Sequence, residues 1–185
     1  METNMAINKI TEKCKKARIA SLILFCICIA AGAALIVSAV KAFPNVVTSI
    51  NETDGSISIH TKALSLSRCV SGFVLCVLYG AGLMICSNMF AGISENGTPF
   101  RSGTADALKK ISVIMLLSGI LPGFLGGLTD IIICKAANSG ESLRVIAAQS
   151  MTVGIVPLFL AVFLLVMTEI FRYGCLLQQE SDETL

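Results

Sequence analysis

Any chemistry in this 185-residue chain must come from one histidine, eight cysteines and twelve carboxylates. His60 lies in a polar connection that the charge pattern assigns to the outer face, so it cannot complete a zinc site, a Ser-His-Asp relay or a Cys-His pair with residues elsewhere. The cysteines, at positions 14, 26, 28, 69, 76, 86, 134 and 175, form no CxxC pair, and those within apolar stretches act as small apolar residues. Cys69 and Cys134 fall near one face and could be bridged; Cys14 and Cys175, near the other, could carry a lipid. Asp130 and Glu169 each sit at the end of an apolar stretch, too close to the interface to serve as buried ion carriers. These residues predict a non-enzymatic protein with no catalytic, cofactor or metal site.

The elements that would position them are four uncharged apolar runs, 19–40, 69–94, 111–129 and 145–168. At about 1.5 Å per residue they reach roughly 33, 39, 28 and 36 Å, against a hydrocarbon layer of about 30 Å. A mean hydropathy of +0.82 with 14% charged residues excludes a water-soluble domain. Charges confined to tails and connections predict one membrane domain over 1–185. A net charge of +2, with basic residues not interleaved with aromatics, argues against direct nucleic-acid binding. The first run is longer than the roughly 7 to 15 residues of a cleavable signal core, so it is expected to be retained.

Lysine and arginine orient the runs. Lys9, Lys13, Lys15, Lys16, Arg18, Arg101, Lys109, Lys110 and Arg172, nine in all, lie on one side, against five on the other: Lys41, Lys62, Arg68, Lys135 and Arg144. The positive-inside rule then predicts cytoplasmic termini for a multi-pass protein of the cell membrane.

In the first connection, β-branched stretches 46–50 and 56–60 flank Asp54-Gly55, a pattern that predicts a small extracellular β-hairpin. On the inner side, Asn96, Gly97, Thr98, Pro99 and Phe100 predict an elbow: Pro99 ends the second helix before Thr98, and Ser102 or Thr104 caps the third. Gly119, Gly123 and Gly127 share one stripe of the third helix, where a neighbouring backbone can approach, and Pro122 predicts a kink near Ser118. Gly154 and Pro157 predict a second break in the fourth run.

After that run come Glu169, Ile170, Phe171, Arg172, Tyr173 and Gly174, then an acidic end with Glu180, Asp182 and Glu183. Together with the stretch from Asn96 to Phe100 and the downstream Leu108, Lys109, Lys110 and Ile111, this resembles the bacterial membrane family called domain of unknown function 2975, over essentially all four helices. The resemblance implies a four-helix prokaryotic membrane protein without an assigned activity. It also implies a gene neighbour encoding a small helix-turn-helix regulator.

On the residues themselves, Glu169 and Arg172 are spaced to pair on one helical face, and beyond Gly174 the chain turns into a polar tail that could touch a basic surface. The reading is thus an all-α bundle of four transmembrane helices with both ends inside. Its expected role is to sense or regulate by holding that regulator through Pro99, Phe100, Glu169, Arg172, Gly174, Glu180, Asp182 and Glu183. Lipid and a second copy of the chain are the other partners considered. A permease for a neutral solute, or an immunity protein against a membrane-active peptide, is the alternative.

Overall fold

Lipid offers no partner to a backbone amide, so apolar runs of this length must satisfy their peptide groups within each segment, and helices do so. The computed structural model describes residues 2–51, 56–96, 102–136 and 154–183. Among the described residues are four helices and no strand: α1 (Glu2–Asn51), α2 (Ser56–Asn96), α3 (Ser102–Ala136) and α4 (Ile155–Glu183). All four are long and apolar enough to cross a membrane, over Thr11–Pro44, Leu66–Glu95, Gly103–Ile133 and Ile155–Glu180. The runs 19–40, 69–94 and 111–129 are helical throughout; of 145–168, the part from Ile155 onward is helical and 145–153 lies outside the described residues.

The side chains are distributed in the reverse of a water-soluble protein. Buried positions are filled largely by small polar groups, among them Ser21, Ser67, Ser87, Thr104, Ser112, Ser118 and Thr168, while Ile23, Ile27, Val40, Phe43, Phe159 and Val162 are exposed. Such a surface suits hydrocarbon, where apolar contact costs nothing and small residues let helices approach. Several hydroxyls are satisfied by their own helix: Ser112 donates to the Lys109 carbonyl at 2.8 Å, Thr129 to Leu125 at 2.9 Å and Thr168 to Leu164 at 2.8 Å. The span in α3 is the best covered, with 39% of its most apolar window buried against 6 to 11% in the others.

The chain divides into two compact units. One comprises 1–27, 79–116 and 156–185, so it holds both chain ends and the α2–α3 junction; the other comprises 28–78 and 117–155. In the first, a Cβ built on Gly80 would lie 3.5 Å from the ring of Phe25, and one on Gly82 3.7 Å from Ile114. In the second, a Cβ on Gly72 would lie 3.0 Å from Leu35, and one on Gly32 3.6 Å from Cys76.

Two local expectations are corrected. The hairpin is not formed as expected, because 46–50 belongs to α1 and 56–60 to α2, while Asp54 and Gly55 lie outside the described residues. The β-branched residues give up only a few tenths of a kcal/mol each in a helix. Extending an existing helix gains a hydrogen bond per residue, whereas an isolated ribbon is marginal. The polar tail beyond Gly174 is likewise helical, as α4 runs on to Glu183. Leu, Gln and Glu are strong helix formers and carry the helix across one glycine, which costs about 1 kcal/mol.

The break expected in the fourth run becomes a helix start. Gly154 is not helical, and Pro157 falls in the first turn of α4, where a missing amide leaves no intrahelical bond unmade. At the elbow, α2 ends at Asn96 and α3 begins at Ser102, which puts Thr104 inside the helix; Pro99 and Phe100 lie outside the described residues.

Candidate functional site

In the unit that contains 28–78 and 117–155, α2 and α3 meet along a polar seam. Ser67 and Ser71, one turn apart on α2, face Pro122 and Gly126, one turn apart on α3. The Ser67 hydroxyl donates to the Gly126 carbonyl at 3.1 Å, and Ser71 shares its proton between the Pro122 carbonyl at 3.0 Å and the Ser67 carbonyl at 2.9 Å. Gly126 makes this approach possible. A Cβ there would collide with Ser71 Oγ and lie 3.2 Å from Ser67 Oγ.

The next residue down this row of α3 is Asp130, with 0% of its surface exposed. Its Oδ1 is buried and accepts no hydrogen bond, although the side chain as a whole is engaged. Asp130 lies close to the end of the candidate span Gly103–Ile133, and its carboxyl is buried against protein.

The glycine stripe expected to pack lies on an adjacent row. Gly119 and Gly127 are buried and Gly123 is half-buried. Gly119 has a specific neighbour: its carbonyl accepts from the Gly154 amide at 2.9 Å, which ties the entry of α4 to α3. Cys69 is a free thiol; the side chain of Cys134, its expected partner, lies outside those described.

If the two serines hold α2 on α3, the interaction is separable. Ser67→Ala and Ser71→Ala are each expected to cost about 0.6 to 1.7 kcal/mol of helix association. Because Ser71 bonds to the backbone carbonyl of Ser67, which Ser67→Ala keeps, and each hydroxyl has its own α3 carbonyl, a double-mutant cycle on detergent-solubilised protein should find nearly additive losses; strong coupling would contradict two separate bonds.

In the unit that holds the chain ends, the first turns of α3 and the last turns of α4 frame a charged groove of about 400 Å³. Asp106 and Lys109 enter it from α3; Arg172, Cys175, Leu176 and Gln179 enter it from α4. Ala105, which is buried, completes the α3 side of the lining. Arg172 and Glu169 are both exposed, but among the described residues no ion pair joins them; Arg172 turns instead to the groove. Farther along α4, Gly174 is half-buried and Glu180 exposed, Asp182 is helical, and Glu183 accepts from Gln179 Nε2 at 3.4 Å. Among the described residues no group of three or more His, Cys, Asp and Glu is arranged to hold a metal ion.

Sequence reasoning named Arg172 but missed Asp106 and Gln179 as its neighbours. Gln179 reaches the groove because the stretch expected to be a polar tail continues α4 as a helix.

A protein-family model described as "Protein of unknown function (DUF2975)" matches residues 52–185. The match covers α2, α3 and α4 and leaves α1 outside it, so the likeness is narrower than one spanning all four helices. No curated protein and no solved structure matches the chain.

Proposed function

Since the chain belongs to the DUF2975 family, whose members are described only as proteins of unknown function, we propose a role from the geometry: a non-enzymatic, multi-pass component of the cell membrane that holds a cytoplasmic regulator. One observation supports it above others. Asp106 and Lys109 from α3 and Arg172 and Gln179 from α4 converge on one open groove, in the unit that also contains both chain ends. Nine of the basic residues belong to the side of the chain with those ends, which favours a cytoplasmic face. The partner is a small helix-turn-helix regulator of the kind the family resemblance implies. A mixed-charge groove beside an acidic helical end offers it both signs of charge, and charge complementarity sets specificity and encounter rate.

The test is co-purification of the neighbouring regulator with the full chain. Reversing two charges with Lys109→Glu and Arg172→Glu is expected to lower capture by about tenfold or more, as loss of two charged contacts does. Deleting 178–185 should also lower it. Capture unchanged by both alterations rejects the reading.

A permease is the second reading, and the burial of Asp130 favours it more than the sequence did. Solute flux into proteoliposomes that is present in the natural chain and absent in Asp130→Asn would establish it over the first.

A further inference from the structure

A second opening in the unit with the chain ends lies between α2 and α3. Ile85, Met89 and Gly92 form one wall and Gly103, Asp106 and Lys110 the other, around about 440 Å³. A Cβ built on Gly92 or on Gly103 meets nothing within 4 Å, so the mouth is open because both positions lack a side chain. Each wall is a single helix face, since its residues recur at three- and four-residue spacing.

The order of chemistry from the mouth inward is specific. At about 1.5 Å per residue, Asp106 lies about 4.5 Å inward of Gly103, and Lys110 about 6 Å farther. On α2, Met89 lies about 4.5 Å inward of Gly92, and Ile85 about 6 Å farther. An amphiphile entering here would therefore meet a carboxylate and then, one turn deeper, an ammonium on α3, with the apolar side chains of Met89 and Ile85 beside them on α2. A phospholipid with an amine in its headgroup presents the complement of α3 in the same order: ammonium outermost and phosphate next. Phosphatidylglycerol has the phosphate but sets an uncharged diol against Asp106.

We propose that this cleft binds an ethanolamine phospholipid, with the phosphate on Lys110, the ammonium on Asp106 and the methylenes of the headgroup and glycerol against Met89 and Ile85. Asp106 and Lys110 are both exposed, so neither charge has to be stripped of water before the lipid arrives. Asp106 also lines the α3–α4 groove, so the readout is taken on the chain alone, with no protein partner present.

The experiment is native mass spectrometry of the full chain after exchange into equimolar phosphatidylethanolamine and phosphatidylglycerol. The natural chain is expected to retain phosphatidylethanolamine over phosphatidylglycerol by roughly tenfold, the effect of one hydrogen-bonded charge. Asp106→Asn, an exposed change that leaves packing intact, should bring the two lipids to parity. Gly92→Leu projects into open space and should remove the bound lipid while helical content and melting temperature are kept. Equal retention of both lipids by the natural chain overturns the proposal, as does an unchanged lipid ratio in Asp106→Asn.

Discussion

Replacing Gly126 by leucine will abolish cooperative folding, whereas the same replacement at Gly92 will not. The two glycines differ in what surrounds them. At Gly126 a Cβ meets Ser71 Oγ in direct collision and approaches Ser67 Oγ at 3.2 Å, with the Ser67 carbonyl at 3.8 Å behind; at Gly92 it meets nothing within 4 Å. The serine hydroxyls cannot simply swing away, because both are donating to α3 carbonyls. Even Gly126→Ala should cost about 1 to 3 kcal/mol, the usual penalty for overpacking. Gly92→Ala should be neutral, or stabilise by up to about 1 kcal/mol through helix propensity. Denaturation in mixed micelles, followed by circular dichroism, reads both. A Gly126→Leu chain that melts like the natural one would remove the α2–α3 seam from the account.

The second large effect is expected at Asp130. The side chain is fully buried and the residue interacts with its surroundings, so Asp130→Ala removes that interaction and leaves a gap. Losing a buried polar interaction costs about 1 to 3 kcal/mol. Asp130→Asn keeps the shape and most of the hydrogen-bonding capacity and should recover much of the loss. Equal stability of the alanine variant and the natural chain, measured in the same micelles, would show that the carboxyl has no structural role. Together with the flux assay, the asparagine variant separates a structural acid from a transporting one: a chain that folds but no longer passes solute assigns Asp130 to transport.

The spans were legible because charge is the clearest signal in a membrane sequence, and its absence from 19–40 or 69–94 leaves few readings. The rotation of each helix was not. Gly119, Gly123 and Gly127 share a stripe, yet the row that meets α2 is Pro122, Gly126 and Asp130, one residue or about 100° away. Gly126 and Gly127 are adjacent, so spacing alone cannot choose between the rows. The discriminating signal lay on the other helix, in Ser67 and Ser71 at one-turn spacing, and Ser67 fell outside the second run because Arg68 ended it. The groove between α3 and α4 was half visible, since Arg172 stood out while the polar composition beyond Gly174 assigned Gln179 to a tail. Local composition favoured that tail; helix propagation from a long apolar span prevailed.

Cysteine labelling in intact cells tests most directly whether the two chain ends and the α3–α4 groove face one aqueous compartment on the inner side. Glu12→Cys, Lys109→Cys and Gln179→Cys, each exposed and each in the unit with the chain ends, are introduced singly into a chain whose native cysteines are replaced by alanine. A membrane-impermeant maleimide should leave all three unlabelled until the membrane is opened, and then label all three. Labelling of any one of them in intact cells would contradict the account.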